Sequence, residues 1–111
     1  MEATTQVSSS RAEAPIPIAV DAEGYLVDAR QWTPAVAEAI AEELGVRLTP
    51  EHWKVIGFCR EDFGRQGQSP NVRRTALLSG VPMKDLYQLF PKGPGKLAAR
   101  IAGLPKPKGC L

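Results

Sequence analysis

Little in this chain invites metal or acid–base chemistry. One histidine and two cysteines occur among 111 residues, and Cys59 and Cys110 stand 51 positions apart with no Cys-x-x-Cys spacing. That argues against a zinc site, whose ligands come at short, paired spacings. The lone imidazole, His52, leaves a single possible base for any Cys–His or Ser–His–Asp arrangement. Its place in the first turn of a helix, beside Trp53 and Ile56, suits packing or capping better. No phosphate loop is present, since Gly93-Pro94-Gly95-Lys96 lacks the spacing and the preceding strand. No apolar run approaches the ~18 residues that span a bilayer. Met1 to Ala14 holds acids, Ser and Thr in place of a basic start and an apolar core, so no signal peptide is read. The expectation is a cytoplasmic protein with no membrane contact and no cofactor. The balance of 14 Lys+Arg against 12 Asp+Glu is too even to draw nucleic acid by charge alone.

What the chain does have is clear punctuation. Residues 1–14 are small and polar and read as a disordered tail. Ile16, Ile18 and Val20 alternate, Asp21-Ala22-Glu23-Gly24 forms a turn, and Tyr25-Leu26-Val27 resumes an apolar run, which predicts a β-hairpin. Thr33-Pro34 opens a helix carrying Val36, Ile40 and Leu44, which Gly45 closes. Thr49-Pro50 opens a second, to about Arg65, with Trp53, Ile56, Cys59 and Phe63 on one face. Ser69-Pro70 starts a third, ending near Ser79-Gly80. Pro82 begins a fourth through Leu86, Leu89 and Phe90. Pro94 opens a fifth with Leu97, Ala98 and Ile101 inward and Gly103 as its stop. Five short helices on short loops predict a mainly α, compact orthogonal bundle with an N-terminal hairpin. The folded domain spans residues 15–103, and 104–111 forms a mobile C-terminal arm.

That arm is the chemically distinctive part. Leu104-Pro105-Lys106-Pro107-Lys108-Gly109-Cys110-Leu111 sets a thiol one residue from the end, behind two stiffening prolines and a glycine joint. From Lys92 onward Lys92, Lys96, Arg100, Lys106 and Lys108 are joined by no Asp or Glu. Extended from Gly103, the arm spans roughly 23 Å to Cys110. On chemistry alone two readings stand: a thiol offered to a partner, or a chain end with no role. Cys59 shares the helical stripe of Ile56 and Phe63 and reads as an inert core thiol, with pairing to Cys110 the alternative. Arg60, Arg73 and Arg74, with Arg65, form a basic patch or are ordinary surface charge. Glu42-Glu43 and Glu61-Asp62 read as solvated helix faces.

A resemblance adds to this. Asp21-Ala22-Glu23-Gly24-Tyr25-Leu26, Trp32, Val36-Ala37, Leu48-Thr49 and His52-Trp53-Lys54-Val55-Ile56 resemble the first half of the DsrC/TusE family. The second half agrees in Arg60, Pro70, Arg73, Leu86-Tyr87-Gln88-Leu89-Phe90-Pro91 and Gly93-Pro94. It closes on Ala102-Gly103-Leu104-Pro105-Lys106-Pro107 and Gly109-Cys110. The likeness covers residues 18–111 and is most specific in its last segment.

The resemblance implies a small helical fold and sulfur carried as a persulfide on Cys110. Arg100, Lys106, Lys108 and Gly109 are then the arm and partner-docking residues. DsrC proper has a second arm cysteine eleven positions earlier, where this chain has Ala99. One thiol permits a persulfide, a mixed disulfide or an intermolecular bridge, and excludes a bridge within the arm. That pattern is similar to TusE, which takes sulfur from the TusBCD complex and passes it to MnmA for tRNA 2-thiouridine synthesis. A single-cysteine DsrC paralogue is the alternative, working with a DsrEFH-like donor or a sulfite-reductase-related acceptor. A further departure is Leu77, where many relatives carry lysine, with Arg74 nearby as a stand-in. From a different class, the helices after Pro70 and Pro82 could mimic a DNA-binding helix-turn-helix, against which the near-neutral charge argues.

Overall fold

The computed structural model describes residues 18–108. The disordered tail read for residues 1–14 lies outside them, as do Gly109, Cys110 and Leu111. Among the described residues no helix is long and apolar enough to cross a membrane.

Five helices form where the caps predict them, with one corrected start. In α1 (Pro34–Leu44) the Thr33 hydroxyl accepts the Val36 N–H, Pro34 fills the first turn, and Gly45 ends the helix at φ 75°. α2 (Pro50–Gln66) turns His52, Val55, Ile56, Cys59 and Asp62 into the core. α3 (Val72–Leu78) starts later than Ser69-Pro70 suggests. Its cap is Asn71, whose Oδ1 accepts the Arg74 N–H at 2.8 Å, leaving the Ser69 hydroxyl free for another use. α4 (Met83–Leu89) follows Pro82, and α5 (Pro94–Ile101) begins on a helix-compatible proline.

α5 is the central element and packs on α1, α2 and α4, while α3 joins α2 and α4. Small residues allow the close approach: Ala37 and Ala41 on α1, with Ala98 and Ala99 on α5, are all buried. Phe90, Ile56, Leu86, Ile101 and Leu104 fill the space between the helices. Truncating Phe90 to alanine should cost about 3–5 kcal/mol, the usual figure for emptying an aromatic core site.

The predicted hairpin is reduced among the described residues to one antiparallel bridge, Val20 with Leu26, and no strand forms there. Ile16 lies outside them. Two local causes are visible. Tyr25 and Leu26 are both buried, whereas a hairpin with one solvated face would expose one of them. Asp21 also caps its own turn, its Oδ1 accepting the N–H groups of Glu23 and Tyr25 at 2.9 and 3.0 Å. Gly24 takes φ 90° as the turn requires. A short 3-10 turn at Ala29–Gln31, capped by Asp28, went unseen in the sequence.

Candidate functional site: the base of the Cys110 segment

The exit from α5 is held by two side chains distant in sequence. Trp32 Nε1–H donates to the Ile101 carbonyl at 2.8 Å. Arg60 donates to the Ala102 carbonyl at 2.8 Å and to the Ala29 carbonyl at 3.3 Å. Its guanidinium lies 4.3 Å from the centre of the Trp32 ring, a cation–π contact. The carbonyls left over at a helix C-terminus thereby gain partners, one of them cationic. Gly103 then reverses the chain at φ 73°, where a Cβ would lie 2.5 Å from Trp32 Cδ1. Only glycine fits there, on both backbone and steric grounds.

Packing continues past Gly103, beyond the boundary the sequence suggested for the body. Leu104 is 1% exposed, and its N–H reaches back to the Ala99 carbonyl at 2.9 Å. The buried Ser69 hydroxyl donates to the Pro105 carbonyl at 2.6 Å. Lys106 Nζ pairs with Glu23 at 3.0 Å, and Pro107 is buried. Arg100 donates from Nε to the Gly24 carbonyl at 3.4 Å, lying over a face where Gly24 has no side chain. The turn at residues 21–25 therefore braces both α5 and the chain that leaves it. Lys108 is exposed.

The remaining candidates separate clearly. Cys59 is 2% exposed, and burial pushes its thiol up to about 12, opposed by a hydrogen bond with Thr75 and reinforced by the Asp62 charge. It is inert in this state, as expected of a core thiol. His52 is buried, with Nδ1 accepting the Thr49 N–H at 3.1 Å and Nε2 donating to the Leu89 carbonyl at 2.8 Å. Phe90 meets its ring edge-on at 5.0 Å. Both nitrogens are committed, so packing and capping are its role.

The basic patch does not assemble. Arg60 is spent on the α5 exit, and Arg74 on Asp62, bonding both carboxylate oxygens at 2.8 and 2.9 Å. Only Arg73 of the three is fully on the surface. Asp62 itself corrects the reading of Glu61-Asp62 as a solvated face: Glu61 is exposed, but the Asp62 side chain is 0% exposed. The Arg74 guanidinium, opposed by burial and helped by Arg65 and Gln66, holds its carboxyl below the usual carboxylate range. Leu77 stands in solvent with no arginine substituting for a lysine there.

Sequence reasoning missed Trp32, Ser69 and Asp62 as parts of this framework. Trp32 was noted only as a shared residue, and Ser69 carried the wrong signal, that of a helix cap. An Asp at three-residue spacing from Cys59 on the buried stripe was the available clue for Asp62.

The family model described as DsrC like protein matches residues 14–111, nearly the whole chain. The chain belongs to the DsrC-like family. Among curated relatives, the sulfurtransferase TusE of Pectobacterium atrosepticum is 43% identical over 103 residues, spanning 85% of this chain and 93% of that protein. The sulfurtransferase TusE of Escherichia coli is 42% identical over 101 residues, with the same coverage. Among solved structures, DsrC of Allochromatium vinosum superposes with a TM-score of 0.75 at 42% identity, covering 85% of this chain and 90% of that one. The oxidized DsrC gamma-subunit of dissimilatory sulfite reductase from Archaeoglobus fulgidus gives 0.76 at 39% identity, covering 85% and 92%. The likeness to these structures extends over 85% of the chain.

Proposed function

We propose that this protein is a sulfur-relay carrier that holds sulfane sulfur as a persulfide on Cys110. The observation that carries this reading is the similarity to TusE sulfurtransferases over 85% of the chain, together with a Cys59 too buried to compete. In the loading step the Cys110 thiolate attacks the outer sulfur of a donor persulfide. A new S–S bond forms at Cys110, the donor's S–S bond breaks, and the donor leaves as a thiolate. In delivery an acceptor thiolate attacks the same outer sulfur and Cys110 leaves as a thiolate. The transferred atom keeps its oxidation state throughout, so neither step needs an oxidant or a reductant. Arg100 and Lys106 brace the segment's base, and Lys108 and Gly109 directly precede Cys110 in sequence.

The finer reading is TusE-like: a TusBCD-like donor, an MnmA-like acceptor and tRNA 2-thiouridine as the product, in the cytoplasm. The likeness to DsrC structures keeps a second reading, a single-cysteine paralogue in dissimilatory sulfur metabolism. Loss of tRNA 2-thiouridine on deletion supports the first, and its persistence supports the second. A helix-turn-helix regulator has less behind it, since α3 and α4 are seven residues each and Arg74 is committed to Asp62.

Intact-mass spectrometry after incubation with a sulfur donor tests the carrier itself. A gain of ~32 Da, lost in Cys110→Ser and kept in Cys59→Ser, is expected. An adduct on Cys59, or none with any donor, removes the proposal.

A further inference from the structure

The large apolar side chains left in solvent are not scattered. Besides Val20 and Val27, those exposed among the described residues are Leu77, Leu78, Met83 and Tyr87. Leu77 and Leu78 end α3, Met83 opens α4, and only Ser79-Gly80-Val81-Pro82 lie between the two helices, which pack on each other. The four side chains are therefore brought to one end of the α3–α4 pair. Met83 and Tyr87, four positions apart, share a side of α4 next to the stripe that sends Leu86 and Phe90 into the core. Leu77 is 75% exposed and Tyr87 53%. The charge around this face is of one sign. Arg73 and Lys84 are exposed on α3 and α4, and Lys54 reaches from α2 to Gly80, its Nζ 3.5 Å from where a Cβ would stand. From Ser69 to the end of the chain Asp85 is the only acid, and every other Asp and Glu precedes Ser69.

We infer that the α3–α4 face is a docking surface for a protein partner whose own surface sets carboxylates around apolar side chains. That the partner belongs to a sulfur relay rests on the carrier reading above. An apolar centre inside a charged rim is the anatomy of a protein–protein contact. Charge decides between occupants. A second copy, meeting this face with the same face, would set Arg73, Lys84 and Lys54 against their own equivalents. A nucleic acid would satisfy the cations but lay phosphates and sugars over two leucines and a methionine, while Arg74 is already committed to Asp62. An acidic protein surface satisfies both the cations and the leucines. The four side chains present apolar surface on the order of 400 Å², about half of the ~800 Å² that each partner gives to a standard stable complex. The contact is thus a transient one, as suits a carrier that leaves each partner after transfer.

The probes are the purified TusBCD-like donor complex and MnmA-like acceptor of the same organism, titrated against the full-length protein by biolayer interferometry. At least one should bind the parent, and more weakly as salt is raised. Leu77→Gln combined with Tyr87→Gln removes apolar surface without changing charge, and should raise that Kd about tenfold or more. Lys84→Glu should raise it about threefold, through slower association, and flatten the salt dependence. Val27→Gln, at an exposed valine outside this face, should stay within about twofold of the parent. All these positions are exposed, and melting curves check that each variant is folded. Equal binding by the parent and the double variant overturns the proposal, and so does a parent that binds neither probe. A parent dimer that the double variant abolishes, seen by sedimentation, overturns it in favour of a second copy. Binding of tRNA that Lys84→Glu loses and the double variant keeps overturns it in favour of nucleic acid. Inorganic polysulfide needs no docking face, so its failure to add sulfur to the parent strikes the carrier reading instead and leaves the binding result standing.

Discussion

Cys59 sits on the inner stripe of α2 between Ile56 and Phe63, where burial holds its thiol protonated. Cys110 follows Lys106-Pro107-Lys108-Gly109 in sequence, three residues past Pro107, the last buried side chain among the described residues. The side chains are identical, and the difference in their chemistry comes from what surrounds them. Around Cys59 the surroundings are two hydrocarbon neighbours, a carboxylate and a threonine hydroxyl. Cys110 lies outside the described residues, and in sequence it follows a lysine and a glycine beyond the braced exit from α5.

Alkylation attacks that comparison most directly. At neutral pH iodoacetamide should modify the folded protein once, at Cys110, with Cys59 slower by about a thousandfold because so little of it is thiolate. In denaturant both should react alike. Equal rates in the folded state would break the contrast outright. A smaller but still large effect is expected from Gly103→Ala. It forces a left-handed residue onto a Cβ and displaces Trp32, costing about 2–4 kcal/mol in urea unfolding. If that variant keeps parental stability, the exit from α5 is less tightly held than its geometry implies.

Asp62→Asn sharpens the Cys59 side and has a signed pH dependence. The Arg74 guanidinium lowers the folded carboxyl's proton affinity, so the unfolded chain binds its proton at higher pH than the folded one. Stability from this carboxylate is full above about pH 4 and is lost as pH falls through the depressed folded value. The variant's melting temperature should lie several degrees below the parent's at neutral pH, with the gap closing in acid. A gap that is constant with pH would mean that the charge is not what Arg74 holds. Smallest of all should be Glu23→Gln, which removes an exposed ion pair worth about 0–1 kcal/mol and less in high salt.

The helices were legible because their signals are local: Thr33-Pro34 with Gly45, Thr49-Pro50, Pro82, and Pro94 with Gly103 each mark a boundary through their own backbone preferences. The third helix start failed for the same reason, since Ser69-Pro70 carries a cap's chemistry while its hydroxyl is claimed by Pro105, 36 residues away. Of the hairpin, the described residues hold one antiparallel bridge, flanked by Asp21 N–H to the Tyr25 carbonyl and Val27 N–H to the Ala19 carbonyl, with Asp21 Oδ1 taking the Tyr25 N–H beside it. Arg60, Arg74 and Asp62 looked like surface charge because sequence gives their sign and not their partners, which lie 42 and 12 residues distant. The proposed site rests in the sequence on a cysteine and a proline-containing approach. Its support by Trp32, Arg60 and Ser69 was not legible there, being wholly a matter of tertiary contact.

Ala99, eleven positions before Cys110, is 2% exposed, with its carbonyl bonded to the Leu104 N–H. A thiol at that position would face the packed core, and bridging it to Cys110 would need two Cβ atoms about 4 Å apart. With alanine there, no such bridge to Cys110 can form at this position. On the proposed carrier reading the protein then banks no electron pair: each sulfur atom leaves in the oxidation state in which it arrived, and no reductase is needed to reset the carrier.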